Sequence, residues 1–202
     1  MSNSGKRVNV FVDDSFSCAV DKEVAARAGL QVGQYLSIDQ IEELSQADIF
    51  QTCFGAALRY LGYRVRSEAE VKQRLFRRGF DDEVVSKVIV ALKEQRLIDD
   101  LAFAQYWRDN RLTFSPRSRR LIKSELRRKG IAAETADEVI GDLSDEASAY
   151  EAGLKKVRAL AALDYSKFRH RMLGYLRWRG FSYEVISSVV ERLWQEQQTT
   201  SI

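Results

Sequence analysis

RLFRRGF occupies residues 74–80, and the chain returns to this phrase as ELRRKGI at residues 125–131 and as YLRWRGF at residues 175–181. Aligned on Gly79, Gly130 and Gly180, the copies lie 51 and 50 residues apart. Before the glycine, Val71, Ile122 and Met172 coincide, as do Leu75, Leu126 and Leu176. After it, Val85, Ala136 and Ile186 coincide, then Val88, Val139 and Val189, then Leu92, Leu143 and Leu193. Apolar residues at i, i+4 and at i, i+3, i+7 predict two amphipathic helices per copy. A further helix precedes each pair, at FGAALRYLGYR (54–64), FAQYWRDNRL (103–112) and ASAYEAGLKKVRALA (147–161). The repeating unit is therefore three helices in about 50 residues, used three times.

The glycine has a local explanation. With Gly79 at C′, a left-handed backbone costs little, Phe80 becomes C″ and Leu75 becomes C3, the pair that touches in a Schellman motif. The same register pairs Ile131 with Leu126 around Gly130, and Phe181 with Leu176 around Gly180. Gly79, Gly130, Gly180, Phe80, Ile131 and Phe181 are therefore read as structural residues. Ser67 with Glu70 reads as a capping box, and Ser115–Pro116 places proline at the first position of the next helix.

Ahead of the repeats, VNVFVDD alternates Val8, Val10 and Val12 against Asn9 and Phe11, and SFSCAV alternates Phe16, Cys18 and Val20 against Ser17 and Ala19. Two period-2 runs around Asp13–Asp14 predict a β-hairpin. KEVAARAGL reads as a short helix ended by Gly29, and Ser37 with Gln40 opens another through a capping box. A lone hairpin is marginal in water, so it must pack on these helices. The module serves either as a structural cap or as a partner-binding element.

Composition bounds the class. Of 202 residues, 45% are hydrophobic, 30% are charged and one is proline, which excludes a disordered chain and favours helices. No apolar run approaches the roughly 18–20 residues of a membrane span, and residues 1–10 lack a signal-sequence core. Cys18 and Cys53 make no metal pattern and read as buried thiols in a reducing compartment, so the expected location is cytoplasmic. Residues 1–52 carry a net −4 and residues 53–202 a net +7. An acidic head on a basic body points to a polyanionic partner for the body.

The charge concentrates in the middle copy, where Arg117, Arg119, Arg120, Lys123, Arg127, Arg128 and Lys129 stand against Glu125 alone. If Ile122 and Leu126 face inward, Arg120, Lys123 and Arg127 fall about 160°, 100° and 140° from Ile122, an exposed basic stripe. Like charges so spaced repel, so stability alone would have mixed in glutamates. Part of the charge has a bland cause, because cations in a last helical turn suit the helix dipole. The stripe is read as phosphate-binding, with Arg74, Arg77 and Arg78 of the first copy and Arg169, Arg171, Arg177 and Arg179 of the third as further contacts. At the stripe positions those copies carry Ala69, Lys72 and Phe76, and His170, Leu173 and Arg177. Trp178 either stacks on a base or packs against a neighbouring helix, and packing is the expectation. Trp107 and Trp194 read as core or inter-repeat residues.

Catalytic equipment is missing. His170 is the one histidine and reads as an exposed surface residue, so histidine catalysis and ordinary zinc sites have little to work with. There is no phosphate-cradling glycine motif. Asp13–Asp14 suits a turn, while Asp81–Asp82 and Asp99–Asp100 suit helix starts. No catalytic residue, no metal and no cofactor is expected: the chain reads as a binding protein rather than an enzyme.

RSEAEVKQRLFRRGFDDEVVSKVIVALKEQRLIDDLAFAQYWRDNR, RSRRLIKSELRRKGI and LGYLRWRGFSYEVI, in this order, resemble the three units of the RecX family of bacterial recombination regulators over about residues 55–195. The N-terminal stretch resembles an extension found in some members. The family's motif falls here on Arg66, Ser67, Leu75, Arg78, Gly79 and Phe80, then on Leu97, Asp99, Asp100, Phe103 and Ala104. The resemblance implies a curved array of three three-helix units. It also implies binding in the groove of the RecA recombinase filament on single-stranded DNA, with reduced ATP hydrolysis, strand exchange and SOS co-protease activity, hence a role in DNA repair and recombination. Family members also bind DNA alone.

The expected fold is mainly α: a small α+β module with a β-hairpin at residues 1–52, then three-helix repeats at 53–98, 99–144 and 145–202. The expected partners are the RecA filament and single- and double-stranded DNA without sequence preference, with no membrane, and the expected state is a monomer. The alternative is a general DNA-binding helical-repeat protein with no recombinase partner, which as a groove reader would discriminate by about 1–3 kcal/mol per base pair. A pure protein scaffold is the third reading.

Overall fold

Period-2 alternation does produce a hairpin: β1 (Arg7–Val12) pairs antiparallel with β2 (Ser15–Asp21). The computed structural model describes residues 7–200; Lys6 and the first residues of the segment read as lacking a signal sequence lie outside them. Asp13 and Asp14 turn the chain with φ of 49° and 58°, the left-handed conformation that a two-residue hairpin turn requires and that Asp tolerates. Val10 pairs with Cys18, but the register slips at the next step, so that Phe11 pairs with Phe16. One extra residue on β2 moves Phe16 off the face of Cys18 and Val20, correcting the simple alternation. The two phenylalanines are each 60% exposed and meet edge to face at 5.9 Å.

The chain divides into two compact units, Met1–Ile98 and Asp99–Ile202. In the first, the hairpin is followed by α1 (Lys22–Arg27), ended by Gly29 at φ 63°, and by α2 (Ile38–Leu61), started by the Ser37–Gln40 capping box. Val20, Val24, Ala25 and Leu44 form a small core there. Asp48, buried on α2, accepts from the Asp21 backbone N–H and from the Arg7 guanidinium, each at 2.6 Å, and so ties both strands to α2. Where the sequence suggests two helices, α2 runs unbroken for 24 residues, and the boundary drawn at 52/53 falls inside it. Its second half packs with α3 (Glu68–Phe76) and α4 (Asp82–Glu94) around Cys53, Ala57, Val71, Leu75, Val88 and Leu92. Burial pushes the Cys53 thiol up to about 11, so it is an inert core group, whereas Cys18 is half-buried.

The second unit holds α5 (Asp100–Phe114), α6 (Arg119–Arg128) and α7 (Ala133–Ile140), then α8 (Asp145–Val157), a 3-10 turn (Arg158–Leu160), α9 (Tyr165–Trp178) and α10 (Tyr183–Thr200). Each trio closes its own core, around Phe103, Ile122 and Leu126 and around Phe168, Met172 and Leu176. The aligned apolar positions are buried in all three copies, apart from partly buried Phe80 and Leu143. Leu143 lies beyond the end of the eight-residue α7. The result is a mainly helical protein of three three-helix domains with one small N-terminal hairpin.

The three glycines end their helices as their spacing requires. Gly79, Gly130 and Gly180 have φ of 84°, 81° and 87°. The following residues, Phe80, Ile131 and Phe181, donate to Leu75, Leu126 and Leu176 at 3.4, 3.1 and 3.4 Å, closing three Schellman motifs. A fourth ends α4, where Leu97 donates to Leu92 at 2.8 Å with Arg96 left-handed at φ 55°. No glycine marks that one in the sequence.

The copies differ in crowding. A Cβ at Gly79 would meet nothing within 4 Å, whereas one at Gly180 would lie 2.6 Å from Ser118 Oγ and 3.0 Å from Leu121 Cβ. Gly79→Ala should therefore cost about 1 kcal/mol, from backbone strain alone. Gly180→Ala should cost about 2–4 kcal/mol, because overpacking adds to the same strain. Urea unfolding of the two variants checks the difference.

Candidate nucleic-acid interface

The basic helix α6 is positioned by a cap and two buried side chains. Ser118, fully buried, is its N-cap: its Oγ accepts from Leu121 N–H at 3.2 Å, and its own N–H donates to Arg179 O at 3.0 Å. This corrects the expectation that Ser115–Pro116 opens the helix; Ser115 instead follows the end of α5. Ile122 and Leu126 are fully buried, which turns Arg120, Arg127 and Arg128 outward. No ion pair or side-chain hydrogen bond engages these three among the described residues. With Lys123 and Ser124 they line a shallow concavity of about 470 Å³.

The other cations of the middle copy are placed differently. Lys123 is half-buried and ion-paired with Asp137 of α7. Arg119 is exposed, and its backbone N–H donates to Asp145 at 2.7 Å. Lys129 lies 5.1 Å from the Trp107 ring. Arg117 binds Glu125, which also accepts from Arg111 Nε at 2.7 Å and Trp107 Nε1 at 2.8 Å. Burial alone would push the Glu125 carboxyl up. The Arg111 and Trp107 hydrogen bonds and the charges of Arg111 and Arg117 outweigh it, holding the group below the usual glutamate range. In the sequence Glu125 stands out only as the one acid in a basic run. Its place about 60° from Ile122 on the helical wheel, at the rim of the buried face, is the signal that it works inside.

In the third copy Arg171 and Arg177 are exposed, and Arg169 donates to Tyr183 Oη at 3.3 Å. Arg179 faces the middle copy, donating through one Nη to Ser115 Oγ at 2.9 Å and Pro116 O at 3.1 Å. The second unit thus brings Arg117 and the Arg177–Arg179 segment together, with Arg117 Cζ 5.6 Å from the Trp178 ring centroid. Trp178 is 71% exposed, against the expectation that it packs. Trp107 and Trp194 do pack on their cores, and His170 is exposed. In the first unit Arg77 and Arg78 are exposed, and Arg74 lies 5.6 Å from the Tyr60 ring. Asp81 and Asp99 stand at helix N-caps, where the sequence places them. Among the described residues no cluster of His, Cys, Asp and Glu is placed to hold a metal, and no helix is long and apolar enough to cross a membrane.

Four family models match the chain: the regulatory protein RecX N-terminal domain over residues 2–37, and the first, second and third three-helix domains of RecX over residues 53–92, 99–140 and 144–190. Regulatory protein RecX of Clostridium perfringens (strain SM101 / Type A) is 29% identical over 192 residues, covering 93% of this chain and 90% of that protein. Regulatory protein RecX of Listeria monocytogenes serotype 4a (strain HCC23) is 31% identical over 77% of this chain and 58% of its own length. A crystal structure of regulatory protein RecX superposes with a TM-score of 0.72 at 24% identity, covering 92% of this chain and 94% of that one. RecX from Lactobacillus salivarius gives 0.61 at 25% identity, covering 73% and 97%. The succession of a hairpin module and three glycine-capped three-helix units is thus matched domain by domain, and the chain belongs to the RecX family.

Proposed function

We propose that the protein binds the filament RecA recombinase forms on single-stranded DNA and lowers its ATP hydrolysis, strand exchange and co-protease activity, with α6 meeting phosphates. The observation that carries this reading is the group of uncommitted cations, Arg120, Arg127 and Arg128, around the α6 concavity. Three like charges without partners among the described residues cost stability where they stand, and a phosphodiester backbone is the ligand that rewards them. Arg119, Arg171 and Arg177 extend the contact in the second unit, and Arg77 and Arg78 offer a separate one in the first. Arg117, Lys123 and Arg179 serve chiefly to hold α6 and its neighbours in place.

Co-sedimentation tests the reading. The protein should pellet with RecA filaments assembled on single strands of unrelated sequence, with equal affinity for each. Binding that varies tenfold or more with DNA sequence, or that persists on bare DNA but is lost on filaments, would favour the general DNA-binding protein instead.

A further inference from the structure

We propose that Trp178 is a stacking platform for an unpaired base of single-stranded nucleic acid, flanked by the pinned guanidinium groups of Arg117 and Arg179. The inference rests on the nucleic-acid-binding reading and goes beyond it in naming a base contact. In the three copies of the repeated phrase the aligned residues are Arg77, Arg128 and Trp178, and all three are exposed. An indole left 71% exposed contributes little to folding, and the other two tryptophans show how this chain buries one when packing requires it.

The surroundings are preorganised. Arg117 Cζ and Arg179 Cζ lie 5.6 and 6.0 Å from the Trp178 ring centroid. Glu125 anchors the first, and Ser115 Oγ and Pro116 O anchor the second. The Ser118–Arg179 backbone hydrogen bond of 3.0 Å holds the two segments together. Groups already held lose little freedom when a ligand arrives. Glu125 offsets part of the Arg117 charge, but Arg177, the preceding residue in the chain, is exposed and has no ion pair among the described residues, so the segment stays complementary to a phosphodiester.

A base laid on the indole carries its phosphates one sugar away, within reach of the flanking cations. Every base has a π-face, so such a platform is indifferent to sequence. In a duplex the neighbouring pairs cover that face, so the platform prefers single strands.

Fluorescence anisotropy with a labelled oligothymidylate, an abasic oligomer of equal length and a mixed-sequence duplex, all at one salt concentration, tests the proposal on the full chain. Trp178→Ala should weaken oligothymidylate binding roughly 5- to 100-fold while duplex affinity changes less than about twofold, and Trp178→Phe should restore most of the loss. The unaltered protein should bind the abasic oligomer as weakly as Trp178→Ala binds oligothymidylate. Equal binding of abasic and thymidylate oligomers, or an equal loss on single strands and duplex in Trp178→Ala, overturns the platform alone. If the unaltered protein binds none of the three probes, the nucleic-acid reading itself fails.

Discussion

Reversing Arg120 and Arg127 together to glutamate lowers affinity for single-stranded DNA about a hundredfold at 0.1 M salt, with helicity unchanged. Neither side chain has an internal partner among the described residues, and Ile122 and Leu126 hold the helix from the other side, so the fold does not depend on either guanidinium. Each phosphate neutralised contributes a slope of about 0.7–0.9 in log affinity against log salt, which is up to about tenfold at 0.1 M. Removing two phosphate-binding cations therefore takes away about 1.4–1.8 decades, and the repulsion of the new negative charges brings the loss to about two. The salt slope should fall by about 1.4–1.8 as well. A salt titration read by anisotropy, with circular dichroism alongside, measures both. Undiminished affinity in a folded double variant would move the interface off α6.

Glu125→Ala should cost the second unit about 3 kcal/mol, the largest stability loss expected of any polar substitution here. The carboxylate is 11% exposed and its partners Arg111 and Arg117 are 23% and 21% exposed, so its removal strands two largely buried guanidinium groups and the Trp107 N–H. A surface ion pair such as Lys87–Glu83, exposed on both sides and screened by solvent, contributes little by comparison. The same network makes stability depend on acid. Because the folded-state carboxyl titrates below its unfolded value of about 4.3, its contribution is complete above that pH. It is lost as pH falls through the lower folded-state value. Acid unfolding of the unaltered protein should therefore steepen below about pH 4, and Glu125→Gln should flatten that limb while unfolding more readily at neutral pH. Chemical denaturation at pH 7, 5 and 3 checks both.

The sequence carries the helical frame because the signals that set it are local. A leucine at C3, a left-handed glycine and an apolar residue after it lie within six positions, and all three copies close the same hydrogen bonds. Asp99 and Ser67 likewise cap within one turn. The readings that shifted depend on distant neighbours. Ser118 rather than Ser115 caps α6 because its N–H is met by Arg179, 61 positions later. Lys123 leaves the free stripe because α7 brings Asp137 to it. Phe16 changes face through a register slip that alternation cannot show. Helix α2 stays whole because nothing between Ser45 and Cys53 breaks it, whatever change of module the charge suggests.

The candidate site was legible as a run of charge and not as a surface. Arg120 and Arg127 stand where the wheel puts them, while Arg117 and Arg179 of the same basic phrases turn inward as struts. Sequence spacing alone does not separate a cation that waits for phosphate from one that braces a helix. The buried acid at Glu125 and the proximity of the third copy decide it.

Hydrolysis of ATP by RecA on single-stranded DNA, with this protein added from far below to equal the RecA concentration, bears most directly on the proposed role. Inhibition at substoichiometric amounts, undiminished by excess free DNA, is the expected result and means that the protein acts on the filament. An unchanged rate, or inhibition that added DNA removes, would contradict it and leave a protein that at most competes for DNA.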